Sequence, residues 1–294
     1  MNILGLFVVV PVLMILFLFL CKDIKSIRAV MVTGATALLA LTAVLVVTFL
    51  RERAANPDAE MLLVQSWTWY APLNITMTLG VDGISVMMIA LSSIIVFTGV
   101  FSSWNMDMAK EFFLWYCLLT IGVFGFFITI DLFSMFMFSE VALIPMYLLI
   151  GLWGTGKKEY SAMKLTLMLM GGSAFLMIGI IGIFFTSGAT TFNIVDIANS
   201  VRIPIEHQRW IFPVTFLGFG VLGALFPFHT WSPDGHASAP TSVSMLHAGV
   251  LMKLGGYGCF RVAIYLMPEA AHELGWIFLI LTGISVVYVK NGEV

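Results

Sequence analysis

The chain has 294 residues, of which 60% are hydrophobic and only 10% are charged, and its mean hydropathy is +1.03. A soluble domain of this size could not hide so much apolar surface from water, so the composition excludes a soluble enzyme. The formal net charge is −2 and no basic run is present, which argues against a nucleic-acid partner. Cys21, Cys117 and Cys259 are widely spaced without a CxxC motif and are predicted to be packing residues.

Apolar runs and helix-breaking residues predict an all-α integral membrane protein, a polytopic helical bundle of about nine transmembrane helices. The first run is a membrane helix and not a signal peptide, because Cys21-Lys22-Asp23 follows it instead of a small-residue cleavage site. The predicted spans lie near residues 2–20, 29–50, 83–103, 111–130, 132–153, 162–187, 210–231, 241–267 and 275–289.

The connections between the spans predict an interfacial element and an orientation. Val64 to Tyr70 alternates and leads to Pro72-Leu73-Asn74, which predicts a strand pair at the membrane interface with aromatic anchors. Thr190 to Arg209 is the other long polar connection. Seven basic residues follow or border spans 1, 3 and 5 and five follow spans 2, 6 and 8, which places the N-terminus outside and the first loop in the cytoplasm.

Two predicted spans carry ionisable side chains deep in the membrane. Lys253 has twelve residues before it and fourteen after it between Thr241 and Met267, so it lies roughly 18 Å from one end of a hydrocarbon core about 30 Å thick. Glu140 lies roughly 12 Å from the start of Leu132–Trp153. Such groups cost at least about 2.5–3.5 kcal/mol each and normally mark an ion or proton path. We therefore expect both side chains to face the bundle interior.

Span 7 is predicted to be broken near Leu222 to Pro227. Gly218, Gly220 and Gly223 loosen it, and a proline frees a backbone carbonyl one turn earlier, which we expect to face a polar side chain or water. A harmless kink is the alternative. The polar run Ser232–Thr241 follows, and its last residue, Thr241, is predicted to cap span 8.

Three segments resemble one protein family. The ungapped run Phe226–Thr241, continued by Leu251-Met252-Lys253 and Tyr257-Gly258, is similar to the signature of the antiporter-like subunits of respiratory complex I, specifically chain M, or chain 4. Gly80–Ser85 resembles the start of the third helix of that family. Phe138–Tyr147, with Leu152-Trp153-Gly154, resembles its fifth helix. The resemblance extends over nearly the whole chain, to about Tyr288.

The resemblance implies proton movement driven by NADH oxidation and quinone reduction in other subunits. The fifth-helix glutamate corresponds to Glu140, and the eighth-helix lysine, the central relay, corresponds to Lys253. No cofactor is expected in this chain: NADH, FMN, iron–sulfur clusters and quinone belong to partner subunits. The implied partners are neighbouring antiporter-like chains in the bilayer of a bacterial cytoplasmic membrane. The implied domains are 1–110 (helices 1–3 with the hairpin), 111–267 (a five-helix repeat, helices 4–8) and 268–294 (the start of a second repeat).

The chain departs from the family pattern at two places. The position five residues before Pro227, where the family commonly has a lysine, is Leu222. Glu140 then lacks its usual partner, and we expect it to favour its neutral form more than in relatives. The second repeat is missing after span 9, whose run Gly275–Val289 has only fifteen residues, short of the roughly 20 that a spanning helix needs. Together with the polar stretch that ends at Val294, this predicts a C-terminally truncated chain.

Three further residues are weaker candidates for the proton path. His247, about 120° around the helix from Lys253, is either a relay or a hydrogen-bonded core histidine. His229 is predicted to bond the carbonyl freed by Pro227, or else to gate access from the cytoplasm. Asp131, at the outer end of span 5, is an exit group or a helix cap, and Asp82 and Asp234 are predicted caps.

Each main candidate also has a structural alternative. Glu140 could serve only as a helix–helix hydrogen-bond partner, and Lys253 could snorkel to the interface. At the level of the whole chain, the alternatives to a complex I subunit are a subunit of a cation/proton antiporter or membrane-bound hydrogenase, or a non-functional truncated remnant.

Overall fold

A computed structural model describes residues 3–70, 75–200 and 203–290. In this part of the chain, seven helices are long and apolar enough to cross a membrane. They are α1 (Ile3–Leu20), α2 (Ile24–Ala55), α3 (Gly83–Ser102), α4 (Ala109–Ile128), α5 (Leu132–Trp153), α6 (Lys158–Ser187) and, after the elements given below, α12 (Pro268–Lys290). The polytopic all-α class is confirmed, while the count of nine spans stays a prediction.

The last of these helices corrects the sequence analysis. α12 begins at Pro268 and has 23 residues, enough to cross a bilayer, which needs about 20. The expectation that this span is too short was therefore wrong. Proline is favoured in the first turn of a helix and Glu269 complements the positive helix start, so the polar first turns belong to the helix although their hydropathy is low. Residues 291–294, which include the polar terminus, lie outside the described residues.

The predicted strand pair is confirmed, while its place at the membrane interface stays a prediction. β1 (Leu62–Tyr70) pairs antiparallel with β2 (Ile75–Val81), with Trp67 opposite Met77. Trp67 and Trp69 are exposed on β1, as expected for aromatic anchors at a membrane interface. The predicted turn at Pro72-Leu73-Asn74 lies outside the described residues. The other polar connection contains a short helix, α7 (Ile194–Ser200).

α4 forms the centre of the helical bundle. It packs against α1, α3 and α5, and most of its residues are buried. Small residues allow its close approach to α5, because lipid-embedded helices associate through tight packing of backbones. A Cβ atom on Gly122 would lie 2.8 Å from the backbone carbonyl oxygen of Phe138 and from both the amide nitrogen and the Cβ of Ala142.

Replacing Gly122 with alanine is therefore expected to destabilise the protein by about 1–3 kcal/mol, because the α5 backbone must move to accept the methyl group. The thermal unfolding midpoint in detergent measures the effect. Gly171→Ala is the matched control, since a Cβ there meets no atom within 4 Å. An equal midpoint for the two variants would contradict this account of the α4–α5 contact.

Span 7 is broken, as predicted. α8 (Ile205–Leu222) ends at the expected place, residues 223–230 form turns, and α9 (Trp231–Ser238) resumes the helix. The backbone N–H of Phe226 in the break donates to Ser285 Oγ of α12 at 3.0 Å. A polar side chain thus accepts a hydrogen bond from a backbone N–H in the break. The expected polar partner for a freed carbonyl stays a prediction.

Span 8 is irregular as well, which the sequence analysis did not anticipate. It consists of α10 (Thr241–Leu246), a π-helical turn (His247–Leu251), α11 (Met252–Gly258) and a second π-helical turn (Cys259–Ile264). Thr241 is the first residue of α10 and its side chain caps nothing, so the predicted cap at Thr241 was wrong. π-helical turns are rare in proteins, and those that occur are often found at functional sites.

Candidate functional site

Glu140 lies on α5 and faces the interior of the bundle, as predicted. It is half-buried, and Ser173 Oγ of α6 donates a short hydrogen bond to its Oε1. No ion pair to Glu140 forms within the described residues. A carboxylate held by one hydroxyl and no cation is poorly compensated in an apolar surrounding, so it gains from taking up a proton.

A small cavity adjoins Glu140. Its volume is about 30 Å³, room for about two water molecules. Glu140, Leu222 and His247 all line it, so α5, the end of α8 and the first π-helical turn meet there. The position where the family resemblance expects a lysine is thus in the same cavity as the carboxylate, and here it presents only an apolar side chain. The remaining lining is largely apolar: Ala142, Leu143, Met146, Leu169, Trp231, Leu251 and Leu254, with Ser139.

His247 is the second ionisable group of this cavity. Its side chain is only 1% exposed, and neither ring nitrogen has a hydrogen-bond partner among the described residues. Buried polar groups are normally satisfied by protein or by ordered water. Because His247 lines a cavity large enough for water, its ring is placed to exchange hydrogen bonds with water there.

Lys253 does not face the bundle interior, and that prediction was wrong. Its side chain is exposed in an open groove of about 530 Å³ between the break after α8, α11 and α12. Its Nζ donates to the carbonyl oxygen of Ala248 at 2.6 Å, a carbonyl in the π-helical turn. Sequence position gave the depth of Lys253 along the helix axis, but the groove depends on how the irregular segments pack.

His229 and Asp131 lie outside the cavity. His229 is half-buried in the break between α8 and α9, with its ring 5.5 Å from that of Phe226. Asp131 is completely buried and caps α5 by accepting from the backbone N–H of Ser134 at 2.9 Å. Asp82 likewise caps α3 through Ser85, so its predicted cap is confirmed. Asp131 fulfils the cap alternative, and its role as an exit group stays a prediction.

Several polar contacts near the cavity were missed by sequence reasoning. Ser173 carried no signal, because a serine in an apolar helix has no distinguishing pattern. Asp234 lies inside α9 and pairs with Lys164 at 2.7 Å, so the prediction that it caps a helix was wrong. His236, in the same short helix, stacks on His247. The motif contained His236, but its spacing from His247 crosses a proline and a helix end, which hides their contact.

Comparison with known proteins places the chain in a family. The family described as NADH:quinone oxidoreductase/Mrp antiporter, TM, matches residues 129–292, more than half of the chain. The chain belongs to this family. The match begins before α5 and includes Glu140, both irregular spans and the groove with Lys253. It also confirms the resemblance found in the sequence motifs.

Among curated members of this family, NAD(P)H-quinone oxidoreductase chain 4-2 of Synechocystis is 33% identical over 227 residues, covering 77% of this chain and 40% of that protein. NADH-quinone oxidoreductase subunit M of Rickettsia bellii is 33% identical over 238 residues, covering 80% of this chain and 47% of that protein. The chain thus spans less than half the length of these relatives.

Solved structures show the same fold. A chain of respiratory complex I from Thermus thermophilus with bound NADH matches with a TM-score of 0.85 and 25% identity, over 97% of this chain and 58% of that chain. A chain of an archaeal membrane-bound sulfane sulfur reductase matches with a TM-score of 0.83 at 19% identity. The second likeness shows the fold alone.

Proposed function

We propose that this chain is a membrane-arm subunit of a proton-pumping NADH:quinone oxidoreductase and carries protons through a half-channel. The single observation that carries this proposal is the cavity shared by Glu140 and His247 beside the broken span 7. Two ionisable groups deep in an apolar bundle are costly and are retained for proton or ion transfer. The names of the relatives, quinone oxidoreductase chain 4 and subunit M, supply the complex in which such a path would work.

The roles follow from the surroundings of each group. Glu140 takes up and releases a proton, with Ser173 holding the carboxylate in place. His247 exchanges protons with water in the same cavity. Lys253 relays protons on the groove side of span 8, where its ammonium is bound by the Ala248 carbonyl. His229 lies in the break, where it gates access to the cavity.

Asp131 is suited to the outer end of the route. Burial raises the pKa of its carboxyl to about 6, although hydrogen bonds from Ser134 act in the opposite direction. A carboxyl with this pKa changes its protonation state near neutral pH, so it can accept a proton and release it. We assign it the role of an exit group in addition to its role as a cap.

Under this proposal, the chain binds no cofactor of its own. NADH, FMN, iron–sulfur clusters and quinone would be bound by partner subunits, and the chain itself would perform no redox step. Its partners would be neighbouring antiporter-like subunits. We place it in the cytoplasmic membrane of a bacterium. Its N-terminus would lie outside, because the loops after spans 1, 3 and 5 carry more basic residues than those after spans 2, 6 and 8, and the more basic loops face the cytoplasm.

Deletion of the gene, followed by complementation, tests this function. Inverted membrane vesicles with the chain restored should acidify on NADH addition more strongly than vesicles without it, at equal rates of NADH reduction of an artificial acceptor. Unchanged proton uptake per NADH in the deletion strain would refute the proposal.

A cation/proton antiporter is the second candidate, because the family description includes Mrp antiporters. The two candidates differ in their driving force and in their need for a second ion. An antiporter subunit would support sodium-dependent proton movement without NADH. The same vesicles, given a sodium gradient and no NADH, distinguish the two functions.

A further inference from the structure

An open groove lies between the hairpin strand β1 and the first turns of α5, and we call it the hairpin groove. Its volume is about 440 Å³, within the range of about 300–1,000 Å³ that is typical of ligand sites. Trp67 and Trp69 line it on the hairpin side, and Ser134, Met137 and Val141 line it on the helix side. All of its lining residues are uncharged, so they offer no counter-charge to an ionic ligand.

A bulge in β1 brings Trp69 to this groove. β1 advances by two residues, from Thr68 to Tyr70, while β2 advances by one, so Trp69 is the extra residue on its strand. Bulges of this kind redirect a side chain. The Trp69 ring lies 6.1 Å from that of Phe133 in the first turn of α5. Trp69 nevertheless stays 61% exposed, so much of its side chain remains available to a ligand.

The polarity of the hairpin groove changes along the axis of α5. At the end where the helix begins, Ser134 carries a hydroxyl and Trp69 carries an indole N–H donor. Met137 and Val141 follow further along the helix and are apolar. Val141 is seven residues after Ser134, roughly 10 Å along the helix axis. A phospholipid has the same order of groups, since its phosphate and ester oxygens accept hydrogen bonds and its acyl chains are apolar.

We propose that the hairpin groove binds one phospholipid of the bilayer. An ester or phosphate oxygen accepts from the indole N–H of Trp69, and one acyl chain lies along Met137, Phe138 and Val141. α5 is long and apolar enough to cross a membrane, so a groove open beside its first turns meets lipid. Tryptophan is enriched at the boundary between acyl chains and headgroups, because its ring is apolar and its N–H is polar.

The source of selectivity follows from the surroundings of the groove. Acyl chains in the bulk bilayer are as apolar as the groove, so transfer of a chain into it gains little from the hydrophobic effect. The preference for a bound lipid therefore rests on hydrogen bonding at Trp69 and on packing against α5. Because the lining is uncharged, we expect a zwitterionic headgroup to be accepted. This site is separate from the proton route, and it requires only that the chain spans a bilayer.

Photolabelling of the wild-type protein tests the proposal directly. The probe is a phosphatidylcholine with a diazirine in the middle of one acyl chain, added to membrane vesicles that contain the whole complex. Labelled residues are then mapped by mass spectrometry. Labelling at Met137 and Val141 should exceed that at Leu167, which lies on α6 outside the groove and is 63% exposed. The expected excess is about fivefold, the effect of one net hydrogen bond.

Replacing Trp69 with phenylalanine tests the polar end of the groove. The change keeps an aromatic ring and removes the N–H, so labelling of Met137 should fall by about fivefold. Trp276→Phe is the matched control, because this tryptophan of α12 is also 61% exposed and lies outside the groove. It should leave labelling of Met137 unchanged.

Filling the deep end of the groove tests the place of the acyl chain. Val141→Trp should reduce labelling of Met137 to the level found at Leu167. Ile144→Trp adds the same bulk to the same helix at a position that is 58% exposed and outside the groove, and it should have no effect. The wild-type measurement stands by itself if either tryptophan variant fails to assemble.

Three results would overturn the proposal. Equal labelling of Met137 and Leu167 in the wild type would show ordinary boundary lipid without a site. Labelling of the groove in the purified chain in lipid nanodiscs, but not in the complex, would show that a neighbouring subunit covers the groove. Equal labelling of Met137 in the Trp69→Phe and Trp276→Phe variants would show that the indole N–H holds no lipid.

Discussion

Replacing Glu140 with glutamine is expected to stop proton movement through this subunit. Glutamine keeps the size and can still bond to Ser173, but it cannot take up or release a proton, so the route is interrupted at the cavity. We expect the rate through this route to fall by about 100-fold or more. NADH-driven acidification of inverted vesicles measures the effect. Assembly of the complex and NADH reduction of an artificial acceptor should not change.

Two further variants make this result specific. Ser173→Ala removes the hydroxyl that donates to Glu140. The loss of a hydrogen bond to a charged group disfavours the ionised carboxylate by about 1.5–3 kcal/mol, so Glu140 should release its proton more slowly and proton transport should fall by about tenfold or more. Glu111→Gln changes a glutamate that is exposed in the first turn of α4, and it should behave like wild type. Equal proton uptake in the Glu140 and Glu111 variants would exclude Glu140 as a proton carrier.

The second large effect concerns the ion pair between Arg261 and Asp82. The two side chains are only 12% and 14% exposed, and Arg261 donates to Asp82 Oδ2 at 2.7 Å. The same aspartate caps α3 through its other oxygen. Arg261→Met would leave the carboxylate buried without its cation, which costs about 3–5 kcal/mol when one partner of a buried pair is removed. The thermal unfolding midpoint in detergent should fall accordingly.

An exposed ion pair of the same chain supplies the control. Arg209 and Glu273 pair at 3.0 Å, but their side chains are 55% and 45% exposed. Arg209→Met should leave the midpoint nearly unchanged, because solvent and salt screen such a pair. Adding Asp82→Asn to Arg261→Met should recover part of the loss, since no unpaired charge then remains. An equal fall in the unfolding midpoint for Arg261→Met and Arg209→Met would contradict the claim that burial makes the Arg261–Asp82 pair important for stability.

The sequence was sufficient to predict the regular part of the fold. The bounds of α3 and α5 agree with their predicted spans within one residue, and each helix begins directly after a capping aspartate, Asp82 or Asp131. The break in span 7 was also predictable, since glycines and Pro227 weaken a helix by local chemistry alone. α12 was drawn too short because hydropathy does not detect the polar first turns of a membrane helix.

The candidate site was predictable only in part. Glu140 was identified because a charged side chain is costly in the membrane, and the same cost predicted that it faces the interior of the bundle. The same argument failed for Lys253, because it gives the depth of a residue and not the direction in which it points. The π-helical turns on either side of α11 decide that direction, and no pattern in the glycines of this segment predicts them. Ser173 and His236 become part of the site only through contacts between helices.

The exposed position of Lys253 has a consequence for assembly. Contact between its ammonium and acyl chains would cost at least about 2.5–3.5 kcal/mol in a bilayer. A protein surface that covers the groove and keeps lipid away from the ammonium removes this cost. By thermodynamic linkage, the same free energy then favours binding of that surface. The charge of Lys253 therefore makes the chain more stable when this groove is covered than when the groove is open to lipid.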